Sequence, residues 1–124
     1  METFRSLVRD ALRKVQSEVR WRPGSAVRHL LKRKARRQLP WSATLDDYEH
    51  IIKAIVHDPQ ARVFVYWHEQ RPYPTVVSMI GDHQWLVMFD ADGILETAFA
   101  LERSERYLDR PAFELLGTLE EILR

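Results

Sequence analysis

RVFVYWHEQRPYPTVVSMIGDHQWLVMFDADGILETAFAL, residues 62–101, is the stretch that decides the fold. Four β-rich runs follow one another in it: 62–68, 73–80, 84–90 and 94–101. Val63, Val65 and Trp67 alternate with Phe64, Tyr66 and His68, the period of two that sends successive side chains to opposite faces of a sheet. The connections contain Arg71-Pro72, Gly81-Asp82 and Asp92-Gly93. Gly and Asp tolerate the positive φ of tight hairpins. Connections this short require antiparallel neighbours. The spacing therefore predicts a four-stranded antiparallel meander. Apolar residues stand on both of its faces, so both need cover. The helix upstream supplies one cover. The N-terminal segment, the C-terminal tail or a second subunit supplies the other.

Upstream, Thr44 opens a helix to about His57, with Leu45, Tyr48, Ile51, Ile52, Ile55 and Val56 on its buried side. Thr44 is a good N-cap, and Asp46 and Asp47 follow it at the positive end of the helix dipole. Asp58-Pro59 stops the helix. Downstream, the tail from Pro111 reads as helical, with Gly117-Thr118 and Glu121 marking a break and a new cap.

Further out, residues 2–20 form an amphipathic pattern: Phe4, Leu7, Val8, Ala11, Leu12, Val15 and Val19 recur at spacings of three and four. Trp21-Arg22-Pro23-Gly24 breaks it. Ser25 is the expected N-cap of a second helix to about Gln38, with a thin apolar set of Val27, Leu30, Leu31 and Ala35. Leu39-Pro40-Trp41 marks a boundary. The expected fold class is α+β. A basic helical hairpin or arm (1–40) precedes a compact domain (41–124) of helix, four-stranded antiparallel meander and C-terminal helices.

Charge follows the same boundary. Residues 1–40 carry twelve Lys/Arg against three Asp/Glu, a net of +9, while residues 41–124 carry seven against fifteen, a net of −8. The whole-chain value of +1 conceals this. Such a split indicates two surfaces with different partners. Arg28, Lys32, Arg33, Lys34, Arg36 and Arg37 suit the phosphates of RNA or another polyanion, and Trp21 and Trp41 flank them as stacking platforms for unpaired bases.

Other classes are excluded or disfavoured. The chain has no cysteine, so disulfides, thiolate chemistry and Cys-containing zinc sites are absent. Its longest apolar runs are too short to span a bilayer, and the N-terminus carries a helical charge pattern rather than that of a secretory signal. A cytoplasmic location is expected. None of the five histidines has the His-Glu-x-x-His spacing, so no metal site is expected. Asp90-Ala91-Asp92-Gly93 reads as a hairpin turn rather than a calcium loop. No glycine-rich phosphate loop is present and no cofactor is implied.

The polar residues of the sheet are the remaining chemistry. A metal-independent ribonuclease needs a base for the 2′-hydroxyl, an acid for the leaving 5′-oxygen and cations for the charged transition state. His68 or Glu96 suits the base, His83 or Tyr66 the acid, and Arg71 the charge stabiliser; Tyr73 and Thr75 lie on the same strands.

The helix DYEHIIKAIVHDP ahead of the strands RVFVYWH, YPTVVSMI, QWLVMFD and ILETAFAL resembles the RelE-like and barnase/EndoU-like superfamily of small RNA-cleaving toxins. The resemblance covers residues 44–101, about half the chain. It implies metal-independent RNA cleavage by residues on the open sheet face, with His68, Arg71, Tyr73, Thr75 and Glu96 at the matching positions. It also implies a toxin–antitoxin or interbacterial setting with an antitoxin or immunity protein as partner. Toxins of this group have a basic sheet surface, whereas this sheet half is acidic. RNA would be repelled unless the basic N-terminal segment folds beside the site. The alternative is a non-catalytic adaptor. Its basic helices hold nucleic acid or an acidic protein, and its sheet domain binds a partner or forms a homodimer.

Overall fold

In the computed structural model, residues 2–102 and 104–124 are described. The alternating stretch forms four consecutive antiparallel strands: β2 (Arg62–His68), β3 (Arg71–Ile80), β4 (His83–Phe89) and β5 (Ile94–Ala100). The sheet is nevertheless larger than a four-stranded meander and is mixed. Its order is β1-β5-β4-β3-β2-β6. The two added strands come from segments whose patterns do not read as strands. Arg20–Trp21 (β1), within the break after the first helix, pairs parallel with Ile94 and Leu95. Phe113–Thr118 (β6), expected to be helical, pairs antiparallel with β2. FELLGT is too short to show helical periodicity, and the edge of β2 was open to it.

Among the described residues five helices accompany the sheet: α1 (Glu2–Ser17), α2 (Ser25–Ala35), α3 (Leu45–His57), α4 (Ser104–Leu108) and α5 (Leu119–Leu123). Thr44 is the N-cap of α3 as expected, and Asp47 completes a capping box with it. Thr44 Oγ1 accepts from the Asp47 amide at 3.1 Å, and Asp47 Oδ2 accepts from the Thr44 amide at 2.8 Å. Thr118 and Glu121 cap α5 in the same way. Ser25 does not cap α2. Gly24 takes the N-cap position in the left-handed region, and Ser25 is the first helical residue.

One core crosses residue 40. Val8, Ala11, Leu12 and Val15 of α1 join Tyr48, Ile52, Ile55 and Val56 of α3, and both helices lie on the Val63, Val76, Val87 and Phe89 face of the sheet. α1 and α2 do not pair as a hairpin; α2 packs against α3 and β5, and α1 against α3 and α5. Gly93 permits part of this packing, because a Cβ there would stand 2.8 Å from Lys14 Cβ of α1. The opposite sheet face carries a second, smaller core of Phe64, Val77, Leu86, Met88 and Phe113. Tyr107 and Leu108 of the C-terminal segment cover it. That segment therefore supplies the second cover that apolar residues on both faces required. Among the described residues, no helix is long and apolar enough to cross a membrane.

Candidate functional site

β1 sets the position of α2. Trp21 lies with its ring 5.4 Å from His29 and 5.7 Å from Tyr48, and its Nε1 donates to Glu49 at 3.1 Å. At the other end, Gln38 lies along the free edge of β5 as a strand would. Its Oε1 accepts from the Ala100 amide at 2.9 Å and its Nε2 donates to the Ala100 carbonyl at 3.1 Å. These two anchors hold α2 beside β5, and α4 stands on the other side of the same strand.

Between α2 and α4 lies a cleft of about 440 Å³ floored by Thr97 and Phe99. Lys32, Arg33, Arg36, Arg106 and Arg110 line it, with Glu102 as the one carboxylate among the described residues. Arg33 is 4% exposed. Its Nη1 donates to Gln38 Oε1 at 3.0 Å and its guanidinium lies 5.3 Å over the Phe99 ring, but its Nε has no partner among the described residues. Burial, reinforced by Arg36 and opposed by Tyr48 and Glu102, lowers its pKa. An arginine does not lose its proton in a protein. A buried guanidinium is costly unless its donors are paired, and here Glu102 is the nearest carboxylate among the described residues lining the cleft.

Two titratable groups adjoin the cations. His29 Nδ1 is 3.5 Å from Thr97 Oγ1. Burial first, then the charges of Arg28, Arg33 and Lys32, holds the His29 pKa below its ordinary value. It is therefore largely neutral near pH 7. Tyr107 lies under Arg110, whose guanidinium is 4.5 Å from the ring centroid. Burial pushes its hydroxyl pKa up, partly offset by Arg110.

The residues expected to bind nucleic acid divide into groups. Lys32, Arg33 and Arg36 enter the cleft, and Arg37 lines a neighbouring cavity. Arg28 is exposed and Lys34 half-buried, and neither lines the cleft. Trp21 is tucked against His29 and Tyr48 rather than free to stack, whereas Trp41 is 70% exposed.

The five residues expected to be catalytic do not form one constellation. His68 and Arg71 are register partners at the exposed end of the β2–β3 hairpin, where His68 stacks on Tyr66 at 6.2 Å. Tyr73 packs against the second core. Thr75 is fully buried and donates to the Tyr73 carbonyl at 3.1 Å. Glu96 is three strands from β2, about 14 Å at ordinary strand spacing, and is bound by Arg22, whose Nη1 donates to it at 3.2 Å. His83, the alternative acid, is paired with Asp82 on the β3–β4 turn. Sequence reasoning missed His29, Arg106, Tyr107 and Arg110. Arg106 lies in α4 and Arg110 in the bend two residues beyond its end, so no periodic pattern in the sequence marks them as neighbours.

No protein-family model, curated protein or solved structure matches the chain.

Proposed function

We propose that the protein is a metal-independent, toxin-like ribonuclease whose site is the cationic cleft rather than the exposed end of the β2–β3 hairpin. The observation that carries this reading is the buried Arg33, whose Nε has no partner among the described residues, in a cleft whose described lining has five cations and one carboxylate. A phosphodiester placed there would supply the missing acceptor, and Lys32, Arg36, Arg106 and Arg110 would offset charge growing on its oxygens. The placement of α2 beside β5 also supports it, because an acidic sheet needs adjacent basic residues to admit RNA. Neutral His29 is the candidate base for the 2′-hydroxyl and Tyr107 the candidate donor to the leaving 5′-oxygen. The O2′–P bond forms as the P–O5′ bond breaks. One proton passes to the imidazole and one leaves the phenol, giving a 2′,3′-cyclic phosphate and a 5′-hydroxyl. A partner of the antitoxin or immunity kind would need carboxylates to occupy the same cleft.

The test is incubation of the purified protein with total RNA in EDTA, at low and moderate salt, beside a gel shift on the same RNA. Cleavage that is lost in Arg33→Met and His29→Ala, and kept in His68→Ala, is the expected result. Loss in His68→Ala alone would move the chemistry to the hairpin end. A salt-sensitive shift without cleavage would leave a non-catalytic RNA-binding adaptor. Neither cleavage nor a shift would end the RNA reading.

A further inference from the structure

The cleft does not end at Gln38. Gln38, Ala100, Leu101 and Glu102 form a wall it shares with a second cavity of about 420 Å³. The second cavity differs in chemistry. Ile51, Ile80 and Trp85 give it an apolar lining, and Arg37 and His83 stand among its polar residues.

Arg37 is held there at a conformational cost. α2 ends in a Schellman motif, with the Gln38 amide donating to the Arg33 carbonyl and the Arg37 amide to the Lys34 carbonyl, both at 2.9 Å. The residue at the left-handed position of such a motif is ordinarily glycine. Here it is Arg37, at φ +58. A residue with a Cβ is strained in that backbone conformation where glycine is not, and strain of this kind collects at functional sites.

We infer that the second cavity seats an unpaired nucleobase, with Arg37 against it, so that the RNA taken by the neighbouring cleft is single-stranded. The inference rests on the RNA reading of the cleft. A base hangs from the sugar beside its phosphate, so an apolar cavity next to a phosphate cleft matches one nucleotide's two halves. Unpaired bases are recognised by insertion among apolar and aromatic groups and by stacking on guanidinium planes. A base inside an A-form duplex is stacked on both faces and paired on its edge, and reaches such a cavity only after unpairing.

The experiment measures binding of a short single-stranded oligoribonucleotide with 2′-O-methyl sugars, which cannot be cut. An abasic backbone of equal length and the matching duplex serve as comparisons. The single strand is expected to bind about tenfold more tightly than the abasic chain, and more tightly than the duplex. Arg37→Gly is expected to abolish that preference while leaving abasic binding within about threefold, since one peripheral cation is lost. Its melting temperature should not fall, because glycine suits the cap. Ile80→Phe, which narrows the cavity from another strand, should reduce the preference too. Equal affinity for the single strand and the abasic chain would overturn the base cavity and leave the phosphate cleft standing. No binding of any of the three would overturn both.

Discussion

α1 and α2 are both basic amphipathic helices in sequence, yet the fold uses them in opposite ways. α1 buries Val8, Leu12 and Val15 completely. Its Arg9 donates from Nε to the Ile122 carbonyl at 3.1 Å, and its Arg13 from Nη2 to the Leu123 carbonyl at 3.5 Å. These cations satisfy the final carbonyls of α5, where positive charge is favoured. α2 also buries Leu30 in the core, but its Val27 and Leu31 are 56% and 52% exposed while Arg33 is 4% exposed. Net positive charge alone therefore does not identify a binding helix. What distinguishes α2 is a cation placed inside with apolar residues left outside, whereas α1 turns its apolar residues into the core.

The largest test of that contrast is stability. Leu12→Ala removes a fully buried side chain from the main core, and should cost about 2–5 kcal/mol in urea denaturation. Leu31→Ala, at an exposed position on the other helix, should stay within about 0.5 kcal/mol. Equal costs would break the comparison, because they would require the outer face of α2 to be covered in solution, as in a homodimer.

Next in size is the arginine pair. Arg33→Met removes a buried charge whose Nε has no partner among the described residues, together with one hydrogen bond to Gln38. The two effects oppose, so stability should remain within about 1 kcal/mol of the parent. RNA affinity in a gel shift should fall about tenfold or more, as for a charge-assisted phosphate contact. Arg13→Met, on the exposed side of α1, should leave RNA affinity within about twofold and reduce the salt slope by less than the same change at Arg33. If both substitutions weaken binding alike, the interaction is with diffuse charge rather than with a cleft.

Much of the fold was legible because its signals are local. Four strands, the Thr44 cap and the Thr118–Glu121 cap each depend on neighbours within a few residues. What stayed hidden depends on distant partners. Arg20–Trp21 is a strand only because Ile94 and Leu95 are beside it, and Phe113–Thr118 only because β2 has an open edge. The site divides in the same manner. Lys32, Arg33 and Arg36 stand out as charge density in one segment, but Arg106, Tyr107 and Arg110 join them from about seventy residues away. Thr75 and Glu96 drew attention as polar residues on strands. Burial occupies the first and Arg22 the second, and neither circumstance is written in the local pattern.

The smallest expected effect is a pH dependence that only α2 of the two helices can carry, since α1 has no histidine. Burial of His29, with Arg28, Arg33 and Lys32 nearby, depresses its pKa in the folded protein. Folding therefore disfavours the protonated imidazole. The associated stability is present above the ordinary histidine pKa and is lost as pH falls through the depressed one. Between about pH 7 and pH 5 the melting temperature should decline more steeply than in His29→Asn, which cannot titrate. The charge state governs chemistry in the same direction. A base must be unprotonated, so cleavage through His29 should persist to lower pH than an unperturbed imidazole allows. The acid limb of the rate profile and the lost stability should then report the same depressed pKa. An acid limb at an ordinary histidine pKa, together with an unaltered melting profile in His29→Asn, would assign the base to a more exposed group and remove α2 from the chemistry while leaving it in the cleft.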